Sequence, residues 1–250
     1  DKPYDQFIRE QIAGDEIDPQ NVDYRIATGF LRMGPFEQTG MAVAKVTRQQ
    51  FLDDVTASVG QVFLGQPLQC ARCHDHKFDP IPTRDYYSIQ SVFATTQFAD
   101  VNAPFQDHEN LAGFDNDLTY LKKRHEAVKE LQATINNPRK SPDDFGRERL
   151  TRKWQTIYNW AYDRTRPIAF SVQNGSTRYQ RNLTSRIFPP KDAFAGGVIE
   201  KTAILTGGDV FAPSEPVSPG TLSATALTQQ YPDSPEGRRT GFAKWLVHPD

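Results

Sequence analysis

Sulfur is scarce in this 250-residue chain, which holds two cysteines and two methionines. Two cysteines exclude a scaffold stapled by several disulfides. Long apolar runs are missing as well: none approaches the roughly 20 residues a bilayer span needs. Apolar residues make up 37% of the chain and mean hydropathy is -0.63, so the core is modest and loops or surface are extensive. Neither sign of charge dominates, with 29 Lys and Arg against 31 Asp and Glu. That balance gives no electrostatic footprint for nucleic acid or an anionic membrane. There is no phosphate-binding glycine loop and no nucleophile elbow. The opening Asp1-Lys2-Pro3 reads as the start of an internal helix and His248-Pro249-Asp250 as mid-phrase. The chain is therefore expected to be an excerpt of a longer protein, with any export signal outside it.

What is present is mostly helical periodicity. Tyr4, Phe7, Ile8 and Ile12 mark a short helix between Pro3 and Gly14. Phe51, Leu52, Val55, Val59, Val62 and Phe63 form one stripe of a helix from about Thr47 to Leu64, stopped by Gly65 and Pro67. Thr83 is expected to cap a further helix carrying Tyr86, Tyr87, Gln90 and Phe93 and ending near Thr95. Leu118, Leu121, His125, Val128, Leu131 and Ile135, then Leu150, Trp154, Ile157 and Ala161 after a proline turn, predict an antiparallel helical hairpin. Past Pro167 short β-type runs follow, Ile168 to Val172 and Thr202 to Thr206, then an extended stretch from Ala212 to Gly220 and a last helix with Phe242, Trp245 and Leu246 facing inward. The acidic pairs Asp53-Asp54 and Asp143-Asp144 read as helix surface or first-turn charges rather than a catalytic dyad.

Both cysteines fall in Cys70-Ala71-Arg72-Cys73-His74, the attachment pattern for c-type haem. Random placement of two cysteines gives this separation with a histidine next on the order of once in ten thousand. Thiols three residues apart lie on one side of a helical turn, where each can add to a vinyl group of one porphyrin. His74 then offers its imidazole to the iron from the proximal side. A redox dithiol would be expected on a strand-to-helix unit, which is not seen before Cys70. A zinc site using Cys70, Cys73 and His76 would want a second ligand pair downstream. Haem c, one group covalently attached, is thus the leading expectation.

Around the motif, Arg72, Lys77 and Arg84 are candidates to neutralise the haem propionates. His76 cannot swing to the opposite face of the same porphyrin and reads as a supporting residue. Pro80 and Pro82 fix the loop leaving the site, where a backbone carbonyl is expected to orient the His74 ring. Candidates for the distal iron ligand are Met33, Met41, His108 and His125, and an open distal site is equally allowed.

Lys2-Pro3-Tyr4-Asp5-Gln6-Phe7, the Ala27 to Pro35 segment, and Val62-Phe63-Leu64-Gly65 running into Cys70 to Ile81 resemble the secreted cytochrome-like proteins of planctomycete-type bacteria, built from paired domains of unknown function. Gly237-Arg238-Arg239 to Trp245-Leu246, with the His248-Pro249-Asp250 ending, looks like the opening of the second domain of that pair. The resemblance implies a large exported protein, with carbohydrate-associated modules in some architectures, and no established reaction.

The expectation is a mainly α-helical c-type haem module with a helical-hairpin insertion and a small β-containing C-terminal region. Residues 1–100 would form the haem-binding helical region, 101–166 the hairpin, 167–233 an irregular and short-strand region, and 234–250 the start of a second domain. The expected role is one-electron transfer in the periplasm or outside the cell, with redox proteins or neighbouring domains of the same chain as partners. The alternatives are a haem enzyme or gas sensor with an open distal face, and a secreted scaffold or glycan-associated module with a zinc or disulfide clip at Cys70 and Cys73.

Overall fold

The computed structural model describes residues 1–34, 43–135, 142–164, 167–176, 186–187 and 199–249. The described chain is mainly helical with small sheets and divides into two compact units, Asp1–Val101 with Ala169–Asp250, and Asn102–Ile168.

In the first unit, α1 (Tyr4–Ile17) buries Ile8, Ile12 and Ala13. It runs past Gly14, where the sequence predicts an end, and bends instead at Ala13. Gly14 serves a close approach: a Cβ there would sit 2.3 Å from the Tyr24 carbonyl oxygen of α2 (Val22–Ala27). Asn21 caps α2, its side chain accepting from the backbone N–H groups of Asp23 and Tyr24. A 3-10 turn, Thr28–Arg32, follows.

The next helix, α3 (Ala44–Val59), continues as one π turn, Gly60–Leu64, and stops at left-handed Gly65, φ 64°. Of the predicted stripe, Phe51, Leu52, Val55 and Val59 are buried and Phe63 is half-buried, while Val62, on the π turn, is exposed. Across from it, α4 (Thr83–Phe93) buries Tyr86, Tyr87, Ile89, Val92 and Phe93. No side chain caps α4 at Pro82; the Thr83 N–H donates instead to Asp75 Oδ1 at 2.7 Å.

Strand β1 (Thr96–Asn102), which the helical periodicity does not announce, sits at the centre of a small sheet, between β2 (Ile168–Asn174) and β3 (Arg186–Ile187). β3 is parallel to β1, pairing Ala99 with Arg186. A second ribbon pairs β4 (Ala203–Leu205) with β5 (Pro213–Pro216) antiparallel. Prolines are tolerated there because β5 is an edge strand. The last helix, α7 (Arg238–Leu246), sets Phe242 edge-on to Phe93 at 5.7 Å. Its Arg239 is fully buried, bonded to both Asp15 carboxylate oxygens at 2.7 and 2.8 Å and to Asn174.

The second unit holds α5 (Phe114–Ile135) and α6 (Pro142–Arg164). Leu118, Leu121, His125 and Val128 of the predicted α5 stripe are half-buried, whereas Leu131 is exposed. On α6 Leu150, Trp154 and Ile157 of the predicted stripe are exposed, while Thr151 is buried and Gln155 and Tyr158 half-buried. A pair of helices shares a single seam, and α6 is turned one position from its apolar stripe.

Candidate functional site

The cysteine motif lies on a 3-10 turn, Leu68–Arg72, and the residues just after it. Leu68 and Ala71 are wholly buried and anchor the turn, so Cys70 and Cys73 emerge on its outer side, both exposed and both free thiols. Exposure matters because only an accessible sulfur can be alkylated. His74 follows, exposed, with Nδ1 2.8 Å from the Asp75 carbonyl oxygen. A carbonyl oxygen only accepts, so Nδ1 carries the proton and donates, leaving the Nε2 lone pair free to bind a metal. The orienting carbonyl is that of Asp75 and not one from the Pro80 to Pro82 segment, because the loop folds back over His76. There the His76 N–H donates to the Ile81 carbonyl at 2.9 Å, and the Asp79 N–H donates to His76 Nδ1 at 3.0 Å. His76 is thereby committed to the loop. Phe78 projects from it, 84% exposed, with Lys77 Nζ 5.3 Å from its ring centroid.

Beneath the motif the arrangement is polar and buried. Asp53 of α3, its side chain 12% exposed, accepts through Oδ1 from Tyr86 Oη at 2.8 Å and from Gln49 Nε2 and Gln90 Nε2, each at 2.9 Å. Its Oδ2 lies 3.1 Å from Arg72 Nη1. Arg72 also donates from Nη2 to the Gly208 carbonyl at 3.0 Å, and its own carbonyl accepts from Tyr87 Oη at 2.9 Å. Asp53 is therefore the anchor of the cysteine turn, not the surface charge expected from its place in an acidic pair. Burial, followed by the nearby Asp53 charge, raises the Tyr86 hydroxyl well above its ordinary range and pushes Tyr87 up to about 12. Asp54 next door is also raised, through burial and then the Asp53 charge. Gly208, φ 78°, closes the site: a Cβ there would sit 2.9 Å from Cys73 Sγ and 3.2 Å from Arg72 Nε.

The cations expected to meet propionates are differently placed. Arg72 faces Asp53, Arg84 pairs with Glu215, and Lys77 has no carboxylate partner among the described residues. Of the distal candidates, Met33 is 80% exposed after the Thr28–Arg32 turn, His108 and His125 belong to the second unit, and Met41 lies outside the described residues. Among the described residues, no group of three His, Cys, Asp or Glu side chains is arranged to hold a bare metal ion. Two free outward thiols and a tautomerically fixed imidazole fit a covalently attached haem.

Sequence reasoning missed Asp53, Tyr86 and Gly208 as parts of this site. The available signal was pairing at four-residue spacing, Gln49 with Asp53 on α3 and Tyr86 with Gln90 on α4.

Fold and site together define a mainly helical protein that presents a thiol, thiol and imidazole turn on a buried carboxylate anchor. Residues 1–98 match the family model PSCyt2, described as a protein of unknown function (DUF1549), a span that includes the whole cysteine motif and α4. No curated protein and no solved structure matches the chain.

Proposed function

We propose that Cys70 and Cys73 hold one haem c through thioether bonds, that His74 binds its iron, and that the protein carries single electrons outside the cytoplasm. The observation that supports this reading is the His74 ring, whose Nδ1 is spent on the Asp75 carbonyl at 2.8 Å beside two exposed free thiols. When bound, haem supplies one-electron cycling of its iron. Each thiol adds across one vinyl double bond, the sulfur to one carbon and the thiol proton to the other, so attachment consumes no oxidant. Asp75 fixes the imidazole tautomer and makes Nε2 the ligand atom. Asp53 and Tyr87 hold Arg72 and thereby the spacing of the two sulfurs. Lys77 is the first cation for a propionate, since Arg72 and Arg84 already face carboxylates. The partners in this reading are redox proteins or neighbouring domains of a longer chain.

The test is a reduced-minus-oxidised absorption spectrum of protein matured with a haem-attachment system, repeated under carbon monoxide. A sharp low-spin reduced spectrum insensitive to carbon monoxide is expected of an electron carrier with two axial ligands. A high-spin spectrum that shifts with carbon monoxide moves the reading to a haem enzyme or gas sensor. Absence of any haem spectrum leaves a zinc or disulfide clip on a secreted scaffold.

A further inference from the structure

A cavity of about 210 Å³ opens between α3, α4 and the β4–β5 ribbon, apart from the residues of the cysteine motif. At ~30 Å³ per water it has room for about seven waters, or a ligand of about ten non-hydrogen atoms. Its charged lining is Lys45, Arg48, Lys201 and Glu200, three cations to one anion. Arg48 is buried and spent: Nε meets Glu200 at 2.8 Å, and its two other nitrogens donate to the Thr96 and Ala94 carbonyls. Glu200 thus answers Arg48, and among the described residues neither Lys45 nor Lys201 has a carboxylate partner. Among the described residues these two positive charges have no anionic partner; Lys45 Nζ lies over the Phe211 ring, 5.6 Å from its centroid.

The placement of Lys45 sharpens the point. It stands in the first turn of α3, a 16-residue helix with no acidic residue in that turn and no side-chain cap. A cation at the positive end of a helix dipole is unfavourable, and a bound anion offsets it. The rest of the wall is not that of an inorganic ion site. Leu52, Leu205, Val210 and Pro213 supply apolar surface that water solvates poorly. The two glutamines in the wall, Gln49 and Gln90, already donate to Asp53.

We infer that this cavity binds a small organic carboxylate, its charged end between Lys45 and Lys201 and its apolar body against Leu52, Leu205 and Val210.

Benzoate is the probe, titrated calorimetrically into the full chain at low salt, with benzamide and inorganic phosphate as comparators. The expected result is saturable one-site binding of benzoate, with both comparators weaker by about tenfold or more. The double substitution Lys45→Gln, Lys201→Gln is expected to weaken benzoate by about tenfold or more without lowering the melting temperature of the free protein, since both side chains are exposed and the α3 N-terminus loses an unfavourable cation. Equal binding of benzamide overturns the role of charge, and phosphate equal to benzoate overturns the apolar wall. No saturable binding, or undiminished binding by the double variant, overturns the site itself.

Discussion

The Asp53 carboxylate reaches Arg72 across 3.1 Å, from the middle of α3 to the residue between the two motif alanine and cysteine neighbours, Ala71 and Cys73. Through that contact the packing of α3 on α4 is carried into the turn that spaces the sulfurs. Asp53→Asn places an amide donor or a neutral oxygen against the guanidinium and breaks the charge pairing while keeping the side-chain shape. The expected cost is about 2 kcal/mol, or about 4–8 °C in melting temperature, with weakened haem attachment. A melting temperature and haem content equal to the parent's would show that Asp53 anchors nothing.

Gly208 tests the same turn from the other side. Gly208→Ala adds a Cβ 2.9 Å from Cys73 Sγ at a backbone φ of 78° that side chains rarely adopt. Both effects push the ribbon away from Cys73. The expected outcome is a loss of about 1 kcal/mol in denaturant unfolding and a fall in covalent attachment at Cys73, read by mass spectrometry of the haem peptide. Gly207→Ala is the comparator, because its added Cβ meets nothing within 4 Å. The two variants behaving alike at Cys73 would remove the steric account.

Arg239 ties the two sequence ends of the first unit. Its guanidinium is fully buried against Asp15 and the Ile12 carbonyl, with Glu16 3.4 Å away. Arg239→Met leaves those carboxylates buried without a counter-charge, which costs about 3–5 kcal/mol. Denaturant midpoints measure it. A loss under about 1 kcal/mol would mean that water replaces the guanidinium.

Tyr86 and Tyr87 give the pH dependence. Both hydroxyls are raised in the folded protein, Tyr87 to about 12, against an ordinary value of 10.0. The unfolded chain therefore loses these protons first. The stability they contribute is intact below about pH 10 and is lost as pH climbs towards about 12 and beyond. Urea midpoints from pH 9 to 12 should fall, and Tyr86→Phe should flatten that fall. An identical slope in the variant would contradict the assignment.

The legible part of this fold was whatever repeats along one helix. The stripe of Phe51, Leu52, Val55 and Val59 and the Cys70 to His74 spacing are local patterns, and the structure keeps both. The anchor was not legible, because Asp53 meets Arg72, Tyr86 and Gln90, partners 19 to 37 residues away that only the packing of α3 on α4 brings together. β1 was hidden for a related reason. Thr96, Gln97 and Asp100 are polar yet buried, so no alternation of apolar and polar residues marks the strand. On α6 an apolar stripe was visible, and tertiary packing turned Leu150, Trp154 and Ile157 to the outside.

The most direct test of the central reading is the amount of haem that stays with the chain after denaturation, in protein matured with a haem-attachment system. The account predicts one haem per chain, a thioether-type spectrum in alkaline pyridine, and loss of covalent haem when Cys70→Ser and Cys73→Ser are combined, with the helices intact by circular dichroism. No covalent haem in the parent chain, or haem retained by the double variant, would contradict it.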